Sequence, residues 1–398
     1  MDIRIHPHLL RGDINIIPSK SQAHRLLICA AFADRPTNII CPETSRDMDA
    51  TADCLQALGA GICRTKTGYS VFPAQEIPHS ALLNCCESGS TLRFLLPIAG
   101  ALGVDATFLM AGRLPLRPLS PLWEEMERMG CILTRPTENT VRCQGKLQSG
   151  NYFIDGSVSS QFITGLLLAL ALLDSESLIT VTGKIESKPY IDLTCQAISL
   201  FGADPEHPGS IKLRSPGSVT VEGDWSNGAF FLAANYLDTH PKLNIYGLDE
   251  SSVQGDRAAA YWIKLLCRQH CTIDASDIPD LVPVLSVVAA AKHGAVFTNI
   301  RRLRIKESDR AASTVAMIRS LGGQAEAGED TLTVSGTGLA GGTVDAVNDH
   351  RIAMSAAIAS TVCKDDVLIL GAECVKKSYP KFWEEFSRLG GTYEQYLR

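Results

Sequence analysis

Two kinds of apolar segment alternate along the chain. Segments 23–33, 91–102, 161–173, 228–236, 282–292 and 351–361 read as apolar helices. Each is followed by a second helix signal with apolar residues at helical spacing. Five of these end in an apolar residue and a glycine: Leu58-Gly59, Met129-Gly130, Phe201-Gly202, Leu321-Gly322 and Leu389-Gly390. The glycine reads as a left-handed helix stop, and a short strand pattern follows it. Residues 263–267 hold a degenerate copy that ends in Cys267, ahead of Cys271-Thr272-Ile273-Asp274. A recurrence of about 70 residues is neither a heptad nor a short solenoid, so each copy is a supersecondary unit of strands and two helices.

Six α/β copies in 398 residues suit two domains of three. The polar stretch 215–224, with Pro216, Gly217 and Gly223, is the candidate linker. If the first strand signal, Ile3 and Ile5, joins the C-terminal half, the chain crosses between domains twice. Domain I is then 1–18 with 222–398, and domain II is 19–221.

Composition narrows the function classes. Hydrophobic content of 45% against 20% charged residues is that of a soluble globular protein with sizeable cores. A net charge of −6 leaves no positive surplus to track nucleic-acid phosphates, so an anion site must concentrate Lys and Arg locally. Residues 1–16 lack the continuous apolar core of a signal peptide. The longest apolar run, 162–173, is too short to span a bilayer. Thirteen cysteines without a framework of spacings fit reduced thiols in a cytoplasm. Cys267, His270 and Cys271 have no second cluster, so a zinc reading is weak and no metal is expected.

Basic and hydroxyl residues gather where helices should begin. The densest stretch is Arg304-Ile305-Lys306-Glu307-Ser308-Asp309-Arg310. Leu303 and Ile305 alternate with Arg302, Arg304 and Lys306 as in a strand, and Ala312, Val315, Ile318 and Leu321 follow at helical spacing. Its charges are therefore expected at a strand-to-helix turn, where backbone N–H groups and the helix dipole favour anions. Lys20, Ser21 and Arg25 open another helix, as do Gly89, Ser90 and Arg93. Ser159, Ser160 and Gln161 offer neutral donors, Ser187 and Tyr190 lie at a further helix start, and Arg117 stands in a proline-bounded turn. Asp280 sits at a cap position, where a carboxylate serves either as an N-cap or as a base. His350-Arg351 and Lys376-Lys377 repeat the basic theme. Singly, an ordinary helix cap would look the same. Together, repeats in register can aim these ends at one cleft for a small substrate with several anionic groups.

The ordered motifs PSKSQAHR, SGSTLRFL, LRPL, SVSSQF, SKPYIDLT, VEGDWS, QGD, IPDLVPV, RIKESDR, NDHRIAM and KSYP run nearly end to end. They resemble the 5-enolpyruvylshikimate-3-phosphate synthase family, the 3-phosphoshikimate 1-carboxyvinyltransferases. The resemblance implies an α/β (α+β) fold of two globular domains, each of three βαβαββ inverse-repeat units, with the active site in the interdomain cleft. It implies transfer of the enolpyruvyl group of phosphoenolpyruvate to the 5-hydroxyl of shikimate 3-phosphate, releasing phosphate, on the route to chorismate and the aromatic amino acids. It implies a monomer with no metal or organic cofactor and no nucleic-acid or membrane partner. By motif match, Lys20, Ser21, Arg25, Ser159, Ser160, Gln161, Ser187, Asp280 and Lys306 would hold shikimate 3-phosphate. Phosphoenolpyruvate would fall to Lys20, Gly89, Arg117, Gln161, Arg310, Arg351 and Lys377. Asp280, Glu307, Lys20 and Lys306 would be catalytic: Asp280 to take the hydroxyl proton, Glu307 with Lys306 to exchange a proton at the methylene.

The sequence departs from the family pattern in three places. Glu87-Ser88-Gly89-Ser90 replaces the common Asn-Ala-Gly-Thr, Phe94 stands where Pro or Leu is usual, and Arg302 stands where some members carry Asn. Two rivals remain. The related transferase acting on UDP-N-acetylglucosamine uses a loop with a reactive Cys, and residues 113–118 have none. A non-catalytic repeat scaffold that binds anionic metabolites would leave Asp280 and Glu307 without a task.

Overall fold

In the computed structural model, which describes residues 1–238 and 242–396, the apolar segments are helices buried along nearly their whole length. In Pro18–Glu222 they are α1 (Lys20–Ala31), α3 (Gly89–Leu102) and α5 (Ser160–Leu170). The amphipathic helices α2 (Arg46–Ala57), α4 (Leu122–Arg128) and α6 (Lys188–Leu200) alternate with them. Met1–Ile17 with Gly223–Arg398 forms a second compact unit. Its buried helices are α7 (Trp225–Leu237), α9 (Val282–Ala291) and α11 (His350–Ala359). Its amphipathic ones are α8 (Ala259–Leu266), α10 (Arg310–Ser320) and α12 (Phe382–Arg388). Sequence chooses between the two roles: Val282–Ala291 reads VPVLSVVAAA and has no polar face to offer water. Gly59, Gly130, Gly202, Gly322 and Gly390 all take positive φ, which a side chain would oppose.

One sheet plan recurs. Ser80–Asn84 runs parallel to Asp105–Leu109, which pairs antiparallel with Thr140–Gly145 and then Cys131–Thr134. The same order joins Cys271–Asp274, Ala295–Thr298, Thr331–Ser335 and Gln324–Ala327. The other two four-stranded sheets are closed by distant strands. Ser218–Thr220 completes the sheet of Thr37–Ile40, and Asp2–His6 inserts between Val367–Leu370 and Thr392–Tyr396. Hence both ends of the chain belong to the same unit. The remaining copy in each unit keeps only its parallel pair among the described residues: Asn151–Asp155 with Leu178–Thr182, and Gly12–Asn15 with Leu243–Tyr246. Residues 204–217, which follow Gly202, carry Pro205, Pro208 and Pro216 and form no strand.

The strand expected at 302–306 is instead a 3₁₀ turn, Arg301–Ile305. The neighbouring strand, Ala295–Thr298, already has a partner on each side, so the run cannot pair with it. Leu303 points into the core while Ile305 is exposed, so the two do not share one face as they would in a strand.

Helices α3 and α5 approach through Gly165, where a Cβ would stand 2.2 Å from the Arg93 carbonyl oxygen and 2.9 Å from Pro97. Gly165→Ala is expected to destabilise this unit by about 1–3 kcal/mol through overpacking. An unchanged urea midpoint would refute that close approach.

Candidate active site

In the unit of α1–α6, helix N-termini meet through side chains. Ser19, Ser88 and Ser159 cap α1, α3 and α5, so these positive ends carry neutral caps. Gln161 at the start of α5 accepts from Arg93 at 2.7 Å and donates to Ser90 at 3.0 Å. Ser160 lies beside it in the first turn of α5 and is buried. Gly89 lies so close to Arg117 that a Cβ would stand 2.4 Å from the guanidinium. Arg117 Nε is buried without a hydrogen-bond partner. Ser187 precedes α6 with φ +55°, a strained setting for a non-glycine residue, and caps nothing with its side chain.

Arg25 is fully buried yet bonds only neutral acceptors: Thr194 at 2.8 Å, the Tyr190 carbonyl at 2.7 Å, Thr164, and the carbonyl of Ser21. Burial lowers its pKa from 12.5 to about 10. A buried cation in neutral surroundings is poised to receive an anion. Lys20 differs, since its ammonium already pairs with Asp47 at 2.8 Å.

In the other unit the same helix ends carry acids and cations. Asp280 is not the cap of α9, a position held by Leu281. Its carboxylate instead accepts from Arg310 at 2.7 Å and Arg351 at 2.8 Å, with Lys306 at 3.6 Å. Two charge-assisted bonds outweigh one cap bond, which explains the choice. Arg310 has no exposed side-chain surface and also bonds Glu307 and, at 3.0 Å, Asp349. Arg351 reaches Ser226 at the start of α7, and Lys377 donates to the Asn348 carbonyl at 2.8 Å. Burial alone would raise the Asp280 pKa, but Arg351, Lys306 and Arg310 together hold it well below the usual carboxylate range. The Lys306 pKa is lowered as well, but chiefly by burial: with repulsion from Arg302 and Arg310, burial brings it down to about 8 despite Asp280.

Thus Lys20, Ser21, Arg25, Gly89, Ser159, Ser160, Gln161 and Ser187 lie at helix starts in one unit, with the Arg117 guanidinium beside Gly89. Asp280, Lys306, Glu307, Arg310, Arg351 and Lys377 gather in the other. Two participants were missed in the sequence. Asp349, fully buried, caps α11 and accepts from Ser308 as well as Arg310. Asp47, in the first turn of α2, is the counter-ion of Lys20. An acid just ahead of a helix was the available signal for Asp349, but it also describes any N-cap. Among the described residues no group of three His, Cys, Asp or Glu side chains is placed to hold a metal ion, and no helix is long and apolar enough to cross a membrane.

Residues 6–386 match the family model described as EPSP synthase (3-phosphoshikimate 1-carboxyvinyltransferase). The chain belongs to the EPSP synthase family. It is 37% identical over 421 residues to a 3-phosphoshikimate 1-carboxyvinyltransferase from Clostridium kluyveri, covering 99% of this chain and 98% of that one. A relative of the same name from Clostridium perfringens is 38% identical over 416 residues, covering 97% and 98%. In fold it is similar to an EPSP synthase from Acinetobacter baumannii, with a TM-score of 0.80, 22% identity, and coverage of 99% of this chain and 100% of that one.

The three departures from the family pattern have structural counterparts. The Phe94 ring lies 5.0 Å beneath the Arg25 guanidinium, a cation–π contact that suits a buried cation without a carboxylate. Glu87 packs over Gly112, where a Cβ would stand 2.4 Å from its carboxylate, in the loop that leads to Arg117. Arg302 adds positive charge near Lys306 and helps lower its pKa.

Proposed function

We propose that this chain transfers the enolpyruvyl group of phosphoenolpyruvate to the 5-hydroxyl of shikimate 3-phosphate and releases phosphate. The observation that carries the reading is the Asp280 carboxylate held between Arg310, Arg351 and Lys306, beside Glu307, in a chain of this family. Arg25, Ser21, Ser159, Ser160, Gln161 and Ser187 receive shikimate 3-phosphate, with Asp280 and Lys306 at its reacting side. Gly89, Arg117, Gln161, Arg310, Arg351 and Lys377 receive phosphoenolpyruvate. Lys20 touches both. The two groups belong to different compact units.

The electrostatics give the acids their roles. In the free protein Asp280 is a weak base because three cations favour its charge. Substrate anions that pair with those cations take over part of that attraction. The Asp280 pKa then rises, and the carboxylate becomes able to take the 5-hydroxyl proton. Glu307, joined to Arg310, delivers a proton to the methylene of phosphoenolpyruvate with help from Lys306. The hydroxyl oxygen bonds to the central enol carbon and a tetrahedral adduct forms. In elimination the methyl carbon gives a proton back to Glu307, the carbon–oxygen bond to phosphate breaks, and the proton held by Asp280 leaves with the phosphate. The aligned cations stabilise the charge throughout. The same reading makes the protein a cytoplasmic monomer.

Lys306 gives a pH test. With a free-state pKa of about 8, it is charged below that pH and neutral above it. An arriving phosphate favours the charged form, so binding takes up a proton above pH 8 and affinity falls as pH rises through that value. Calorimetry in buffers of different ionisation heat should show this uptake at pH 8.5 and little at pH 6.5. No difference between the two would remove Lys306 from the anion site.

The reaction itself is tested by phosphate release from phosphoenolpyruvate with shikimate 3-phosphate, with UDP-N-acetylglucosamine, or with neither. Release with shikimate 3-phosphate alone is expected. Release with the UDP-sugar would reassign the acceptor, and binding of shikimate 3-phosphate without turnover would favour an anion-binding scaffold.

A further inference from the structure

His24 is a buried titratable group that the proposed mechanism does not use. It lies on α1 between Lys20 and Arg25 in helical order, and its Nδ1 is 2.7 Å from Thr51 Oγ1 on α2. Thr51 Oγ1 is 2.7 Å from Thr91 Oγ1 on α3. Thr91 donates its hydroxyl to Ser88 Oγ at 2.7 Å, and Ser88 also caps α3 by accepting from Thr91 N at 3.2 Å. The other acceptor near the Thr91 hydroxyl, the Asp47 carbonyl at 3.5 Å, cannot donate in return. The chain therefore has one sense. Thr91 accepts from Thr51, and Thr51 accepts from His24 Nδ1–H. His24 Nε2 is then a bare lone pair, and it is buried with no hydrogen-bond partner among the described residues. A buried acceptor without a partner is better tolerated than a buried N–H without one, which agrees with that sense.

This chain ties three helices together behind the site. α1 carries Lys20, α2 carries its counter-ion Asp47, and α3 begins at Gly89 beside Arg117. We infer that His24 is a positioning residue for the phosphoenolpyruvate half of the site, holding the start of α3 in place through Thr51 and Thr91. The inference rests on the proposed reaction. Arg25 donates its hydrogen bonds elsewhere, to Thr194, Thr164 and the Tyr190 carbonyl, and meets α3 through the Phe94 ring, so the shikimate 3-phosphate half is less directly tied to this chain. Charging His24 would break the arrangement, because burial and the cations of Lys20 and Arg25 all oppose it.

Two measurements test the inference. In protein with 15N-labelled histidine, assigned by loss of signal in His24→Asn, Nδ1 should resonate as a protonated nitrogen and Nε2 as a bare one from pH 5.5 to 8.5. An Nε2–H tautomer or a titration in that range would overturn it. This spectrum needs no substrate and is read whether or not the proposed reaction holds. Thr51→Val, which keeps the side-chain shape but removes the hydroxyl, should raise KM for phosphoenolpyruvate roughly 10- to 100-fold and shift Kd for shikimate 3-phosphate less than about threefold. His24→Leu should match it. His24→Asn can still place a donor near Thr51 and should restore most of the loss. Equal weakening of both substrates by Thr51→Val, or no rescue by His24→Asn, would show that the chain only supports the fold.

Discussion

Replacing Asp280 with Asn should lower turnover by roughly 10²- to 10⁴-fold, the usual range for removing a positioned general base. Shikimate 3-phosphate affinity should change far less, because Arg25 and the serines proposed to receive this substrate lie in the other compact unit. Phosphoenolpyruvate should bind as well as before or tighter. The substitution leaves Arg310, Arg351 and Lys306 with one carboxylate fewer to satisfy them, and an anionic substrate can take its place. Separate measurement of kcat and of both dissociation constants distinguishes the cases. Equal losses in turnover and in shikimate 3-phosphate affinity would mean that Asp280 binds that substrate but does not take its proton.

Arg310→Met should be the most destabilising single change in the ion cluster, by about 3–5 kcal/mol. Arg310 has no exposed side-chain surface and bonds three carboxylates, Asp280, Glu307 and Asp349. These partners raise its pKa despite burial, so the native state is built around its charge. Without it, Asp349 stays fully buried and keeps only the Ser308 hydroxyl and the backbone N–H of Arg351 as donors. The cost is that of stranding a buried carboxylate, not the net worth of an ion pair. Chemical denaturation should show it as a lower midpoint at unchanged slope. A loss below about 1 kcal/mol, the range of exposed ion pairs, would mean that water reaches the cluster.

The repeat was legible because its signals are local. A helix apolar on all sides and a glycine stop lie within a few residues of their own consequences, as in Val282–Ala291 or Leu321-Gly322. What escaped was set by distant partners. Asp280 looks like a cap because its ligands Arg310 and Arg351 lie 30 and 71 residues further along the chain. Asp349 looks like a cap and is one, but nothing near it reveals that Arg310 also bonds it. The run 302–306 alternates like a strand, and the full pairing of Ala295–Thr298, which keeps it off that strand, cannot be read from the run itself. The two-stranded sheets were half visible. Cys267 marks one copy by lacking the glycine, whereas Gly202 is a normal stop and only the prolines after it warn that no hairpin follows.

The most direct test of proton movement by Asp280 and Glu307 is turnover in deuterium oxide, with mass and proton spectra of the enolpyruvyl product. Addition followed by elimination makes the methylene carbon a methyl group for a moment, with one hydrogen drawn from solvent through Glu307 and Lys306. Deuterium in the product's vinyl methylene, greatly slowed in Glu307→Gln, is the expected result. Full turnover that leaves that methylene wholly unlabelled would contradict it.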